Sequence, residues 1–180
     1  MALDEALLIR ARPMLRVYEW AAPALTFGYS QAYVPGGVRR CTGGGVVEHG
    51  PGELTFSYVF PWDRLSSPCV VYKDIHRALH LSLKSAGLAT RLWSPGRPAG
   101  VQARCFSAPE TMDLVTEDGV KVLGGAMRKR AGWGLYQGSL RLPGATPDMI
   151  RRALPAPEPE RVDFAELEQK YRSDDWNKRR

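Results

Sequence analysis

Residues 53–60, ELTFSYVF, alternate cleanly between apolar and smaller or polar side chains. Leu54, Phe56, Tyr58 and Phe60 fall on one face; Thr55, Ser57 and Val59 fall on the other. That period of two is the signature of a strand with one face against a core, and Pro61 ends it. Partner strands are read in LRVYEW (15–20), ALTFGYS (24–30), GGVVEH (44–49) and GLYQGSLRL (134–142). DLVTEDGVKVL (113–123) reads as a hairpin turning at Asp118-Gly119. Strands outnumber helices and follow one another directly. The expected class is therefore α+β, a mixed and mostly antiparallel sheet packed with helices.

Helices are expected at four places. Residues 1–12 place Leu3, Ala6, Leu7 and Ile9 on one face, and 70–86 space Val71, Ile75, Leu79 and Leu83 helically with Gly87 as the cap. ATPDMIRRAL (145–154) carries Thr146 as N-cap and Pro147 at its first position, and VDFAELEQKYRS (162–173) forms the last helix. PGG at 35–37 is a turn, residues 91–100 carry loop signals, and PAPEPE (155–160) is a spacer. A chain of 180 residues is expected to form one domain with a real core. No apolar run approaches the ~20 residues of a membrane span. The acids in MALDEALLIRAR do not suit a secretory signal, so the expected location is cytoplasmic, with no membrane partner.

The net charge of +6 favours an anionic partner. Nucleic acid is not expected, because the bases are not interleaved with aromatics and no binding motif is present. Cys41, Cys69 and Cys105 are scattered and odd in number; they form neither a disulfide framework nor a zinc pair. Cys69 reads as a small half-buried residue. His76 and His80 stand four apart on the second helix without a third ligand, so they read as solvent-facing and no metal site is expected.

Two clusters carry chemistry. RRCTGGGVVEHG (39–50) sets Arg39 and Arg40 beside three glycines and His49. Such a loop can bring backbone N–H groups to an anion, with flanking arginines adding bidentate contacts. It is neither a P-loop nor a dinucleotide fingerprint. GVKVLGGAMRKR (119–130) places Lys121 three residues before a Gly-Gly-Ala stretch. On its own, a lysine on a surface hairpin reads as a solvated charge, and Arg128, Lys129 and Arg130 as a solvated face.

In series these segments resemble the lipoate-protein ligase and octanoyltransferase superfamily, which is related to biotin protein ligases. RRCTGGGVVEHG is similar to its RRxxGGGxVxH signature, and the likeness continues through MALDEALL, TFGYSQ (26–31), ELTFSYVFP, DLVTEDGVKVLGGAMRKR and LYQGSL (135–140). The resemblance implies a catalytic domain of that fold and an enzyme of protein lipoylation. It assigns Arg39, Arg40, Thr42, Gly43, Gly44, Gly45 and His49 to the wall of an acyl pocket. Lys121 is assigned to the activated carbonyl, and Gly124, Gly125 and Ala126 to packing on the acyl chain.

Two routes fit that family. A transferase passes octanoyl from an acyl carrier protein to a cysteine, then to a lysine of a lipoyl domain, and needs no cofactor. A ligase activates lipoate with ATP and magnesium through lipoyl-AMP. RCFSAP (104–109) resembles the nucleophile loop of the cysteine-dependent, ligase-like octanoyltransferases, which makes Cys105 the expected nucleophile beside Lys121. The Arg-Asn-Asp stretch usual in ligases is absent, since Met112 precedes Asp113, and Gly50 replaces the Asp that often follows the histidine. KYRSDDWN (170–177) resembles the end of the catalytic domain, so the expectation is a single domain over 1–180 with no C-terminal accessory domain. In the ligase route, a separate chain would supply one. Thioester transfer is the leading expectation, with ATP-dependent ligation and a non-catalytic acyl-binding module as alternatives.

Overall fold

The computed structural model describes residues 1–94 and 105–179. Residues 95–100 of the expected loop, Arg104 of the RCFSAP segment and Arg180 lie outside the described residues. The chain is α+β, as its alternation predicts. The strands are β1 (Met14–Glu19), β2 (Ala24–Phe27), β3 (Val38–Arg39), β4 (Val47–His49), β5 (Leu54–Pro61), β6 (Arg91–Leu92), β7 (Leu114–Val115), β8 (Lys121–Arg130) and β9 (Trp133–Leu140). The helices are α1 (Ala2–Arg10), α2 (Pro68–Ser85), α3 (Pro147–Ala153), α4 (Ala165–Arg172) and α5 (Asp174–Asn177).

Six strands form an antiparallel sheet in the order β1-β5-β9-β8-β7-β6. The alternation in β5 divides its two faces. Leu54, Phe56 and Phe60 join Ile75, Leu79 and Leu83 of α2 and Ile150 of α3 in the main core. Val59 turns the other way and packs with Leu7 and Leu8 of α1, Met14 and Leu135. A smaller sheet, β3-β2-β4, lies apart from the large one in hydrogen bonding; β2 runs parallel to β3 and antiparallel to β4. It carries the glycine-rich segment between β3 and β4.

Several local readings are realised. Thr146 stands at the N-cap of α3, without a side-chain capping bond, and Pro147 starts the helix. The β7–β8 hairpin closes around Gly119, whose φ of +91° suits glycine. One element was not foreseen. The Gly-Gly-Ala stretch is the interior of a ten-residue strand, β8, which returns through Ala131-Gly132, both at positive φ, into β9. The usual depletion of glycine in strands hides this element from a pattern reading.

Candidate active site

Between the two sheets lies a narrow cavity of about 40 Å³. Gly44, Val47 and His49 wall it from the small sheet, Gly124, Gly125 and Ala126 from β8, and Gln137, Gly138 and Ser139 from β9. Cys105 and Arg40 also line it. The glycines are required by close approach. A Cβ on Gly124 would lie 2.6 Å from Lys121 Cε and 3.0 Å from Cys105 Sγ, and one on Gly28 would lie 2.0 Å from the Gly44 carbonyl. Gly44 itself has φ +84°. Adjacent β-strands and the loop are thus pared to backbone where a chain-like ligand could lie.

Cys105 lines this cavity, and Lys121 lies directly behind its sulfur. The ammonium lies 3.6 Å from the sulfur and donates to it, and it pairs with Asp113 Oδ2 at 2.7 Å. Asp113 is fully buried; its Oδ1 accepts from the Tyr72 hydroxyl at 2.6 Å and its Oδ2 from the Glu110 N–H at 2.7 Å. The Tyr72 hydroxyl in turn accepts from the Gly125 N–H at 3.2 Å. This network ties α2, the loop before β7 and the floor of the cavity to one lysine. Burial raises the Cys105 pKa above its ordinary value; Lys121 and Arg40 pull it back, and Asp113 opposes them. Burial also raises Asp113, against the pull of Lys121. Lys121 is therefore a buried, paired ammonium and not the solvated charge its hairpin position suggests.

The two adjacent arginines part company. Arg40 donates from Nη1 to Thr26 Oγ1 at 2.8 Å and from Nη2 to the Gly43 and Gly45 carbonyls at 3.0 and 2.8 Å. Burial lowers its pKa to about 10, which leaves it charged at neutral pH. Arg39 does not line the cavity. Its Nε, Nη1 and Nη2 donate to the carbonyls of Tyr29, Gln31, Trp176, Asn177 and Arg179. All five N–H groups of its guanidinium are thereby occupied by backbone, so its assignment to the acyl pocket is corrected to a tie for the C-terminal segment. Thr42 sits behind the wall, donating to Gln137 Oε1 at 2.6 Å. Gly43 and Gly45 do not line the cavity; their carbonyls hold Arg40.

His49 lines the cavity with both ring nitrogens engaged: Nδ1 lies 2.6 Å from Glu53 Oε1 and Nε2 lies 2.7 Å from Thr26 Oγ1. Trp20 stacks on the ring at 4.3 Å. Burial alone would raise Glu53, but His49 and the Thr55 hydroxyl beside it outweigh burial and hold the carboxyl down to about 2.

Other readings change with the fold. His76 is wholly buried, stacked on Tyr72 at 3.9 Å and bonded to the Tyr136 hydroxyl at 2.6 Å; burial drives its pKa to about 3. It is a neutral core group, and the solvent-facing reading fails because the helix turns that face onto the sheet. His80 instead bonds Thr90 Oγ1 at 2.9 Å. Cys69 is exposed, and burial pushes the Cys41 thiol up to about 11. Among the described residues no cluster of histidine, cysteine and acidic groups gathers that could hold a metal, and no helix is long and apolar enough to cross a membrane. Asp113, Tyr72, Thr26 and Glu53 were not singled out from sequence. Asp113 carried a signal, as the acid opening the lysine hairpin; the others carried none.

Residues 1–170 match the lipoyl protein ligase A/B catalytic domain family. The octanoyltransferase LipM of Carboxydothermus hydrogenoformans is 35% identical over 160 residues, covering 78% of this chain and 59% of that relative. The chain spans about 60% of the length of the curated relatives it matches. Among solved structures, a Thermoplasma acidophilum protein with bound lipoic acid aligns over 98% of this chain and 91% of its own, with a TM-score of 0.77 and 23% identity. A chain from work on a bi-partite lipoate protein ligase and its E2 lipoyl domain from Thermoplasma acidophilum aligns over 98% of this chain and 89% of its own, with a TM-score of 0.70 and 21% identity. At such identities the likeness speaks for the fold.

Proposed function

The chain belongs to the lipoyl protein ligase A/B catalytic domain family, and from that membership we propose that it moves an octanoyl or lipoyl group onto a lysine of a lipoyl domain through a thioester on Cys105. One observation carries the reading: a cysteine sulfur stands 3.6 Å from a buried ammonium on a cavity walled largely by glycine and apolar groups. The octanoyltransferase relative supports thioester transfer over ATP-driven ligation. ATP and magnesium belong to the ligase route alone. The donor in this reading is an octanoyl-loaded acyl carrier protein, and the excess positive charge suits acidic partners. The chain works as one catalytic unit.

The chemistry balances without a further reactant. Cys105 sulfur attacks the carbonyl carbon of the donor thioester, forming a C–S bond while the carbonyl pair moves to oxygen. Collapse breaks the donor C–S bond, and the donor leaves as a thiol carrying the proton given up by Cys105. An acceptor lysine, as the free amine, then attacks the acyl-Cys105 carbonyl. The amide forms, the Cys105 C–S bond breaks, and sulfur regains the proton the amine releases. Lys121 favours the thiolate in both halves, since a fixed cation beside sulfur lowers the energy of the anion.

The test is mass spectrometry of the full chain with octanoyl-loaded carrier protein and a lipoyl-domain acceptor, without ATP. The expected result is octanoyl first on Cys105 and then on the acceptor, with both signals lost in Cys105→Ser. Acyl transfer that survives Cys105→Ser and requires ATP would overturn the transferase reading in favour of ligation. No modification with or without ATP would point to a binding module.

A further inference from the structure

Two cations stand near Cys105, and one of them is already neutralised. Lys121 is bound to Asp113 at 2.7 Å. Arg40 is 5% exposed, yet none of its partners among the described residues is a carboxylate, and every Asp and Glu of the chain is described. Its acceptors are a hydroxyl and two peptide carbonyls, which use three of the five guanidinium N–H groups. The Nε–H and the second Nη1–H have no partner among the described residues. A buried charge without a counterion is expensive unless it has an anion to serve.

The groups behind Arg40 fix its place. Thr26 Oγ1 accepts from Arg40 Nη1 and lies 2.7 Å from His49 Nε2. The other ring nitrogen, Nδ1, lies 2.6 Å from Glu53 Oε1. Glu53 is held in turn by Thr55 Oγ1 at 2.7 Å and by Arg141 Nε at 2.9 Å, while Trp20 covers the ring and donates to Thr55 Oγ1. These contacts join Glu53, His49, Thr26 and Arg40 in one line beside the cavity.

We infer that Arg40, not Lys121, receives the negative charge that develops on the acyl oxygen, and that Glu53, His49 and Thr26 are positioning residues that hold it there. The inference rests on the thioester reading, in which the carbonyl oxygen becomes anionic at the moment Cys105 attacks. Donors fixed in advance at such an oxygen act most strongly where water is excluded. Lys121, its charge matched by Asp113, sets the state of the sulfur instead.

The test uses octanoate, whose carboxylate stands in for the oxyanion, against octanamide, which has the same shape and no charge. Calorimetry on the full chain is expected to show octanoate bound about tenfold more tightly, as for a charge-assisted hydrogen bond over a neutral one. Arg40→Met should remove the preference while octanamide still binds; an arginine that merely held the loop would lose both ligands together. The double change Lys121→Met with Asp113→Asn, which removes that ion pair as a unit, should keep the preference. Thr26→Val should weaken it and Thr26→Ser restore it, which carries the test if Arg40→Met does not fold. No preference in the parent chain, or a preference lost with the Lys121–Asp113 pair and kept in Thr26→Val, overturns the inference. Octanoyl transfer by a chain without the preference sinks the Arg40 role and leaves the transferase reading standing. A preference without transfer supports the anion site and sinks the transferase reading.

Discussion

Cys105 is a thiol held in reserve. Its surroundings both bury it, which raises its pKa, and set cations near it, which lower it; burial wins. The thiol form therefore predominates at neutral pH, and the thiolate fraction should grow with pH beyond the ordinary thiol range of about 8.5. The rate of alkylation by iodoacetamide, followed by mass at Cys105, is expected to rise through an inflection above that value. Lys121→Met should move the inflection further up, because the charge that favours the anion is gone. Asp113 raises the same thiol, so Asp113→Asn should move it down. Identical profiles in all three proteins would show that the ammonium does not act on the sulfur. Tyr72 enters only through Asp113 and the Gly125 N–H, so Tyr72→Phe should shift the profile less than either.

At the scale of elements, β8 and β9 lack side chains at several places where they face each other, and the missing groups fall on both faces of the sheet. Gly125 pairs with Gly138, and Gly124 with Ser139. A Cβ at Gly125 would fall 2.2 Å from the Tyr136 hydroxyl oxygen and 2.3 Å from its ring, which is itself fixed by His76 and stacked on Phe56 at 5.6 Å. Gly125→Ala should therefore lose about 1–3 kcal/mol as an overpacked core does, whereas Gly43→Ala, which meets nothing within 4 Å, should unfold at nearly the parent temperature. Equal melting temperatures for the two would break this account. The same strand shows what the sequence could and could not convey. Alternation exposed β5 and its two faces, because half-buried strands carry a period of two. The glycines of β8 carry no such period, so only its first residues, within the 113–123 hairpin, read as a strand, and Lys121 read as solvated. His76 was misplaced for a related reason: a histidine is polar by type, and only the packed helix shows its ring between Tyr72 and Tyr136. The site's order along the chain was legible through the family resemblance; its polar supports were not, since Thr26, Glu53 and Tyr72 are residue types found anywhere.

For the molecule as a whole, two neighbouring arginines tie different parts together. Arg40 belongs to the cavity, whereas Arg39 fastens the end of the chain to the small sheet. Its backbone takes part as well: the Arg39 N–H donates to Asn177 Oδ1 at 2.8 Å, and its carbonyl accepts from the Trp176 indole at 2.8 Å. The Lys170 ammonium, which pairs with Glu5 of α1, also lies over the Trp176 ring at 3.8 Å. The segment 174–179 is thus a clasp between the small sheet and the α1–α4 helix pair. Arg39→Met would leave five carbonyls short of a donor in a place where water reaches poorly. At about 1–3 kcal/mol for each unsatisfied buried group, partly relieved by solvent, the loss should be at least about 3 kcal/mol. For a chain of this length that corresponds to roughly 6–12 °C in melting temperature. Ending the chain after Ser173 removes the same clasp from the other side, so the two changes should not add. A double variant that melts far below either single one would mean that Arg39 and the tail stabilise the protein separately. Because the clasp holds the strand from which the Arg40 loop departs, both changes should also slow octanoyl transfer while leaving the pH profile of Cys105 alkylation where it was.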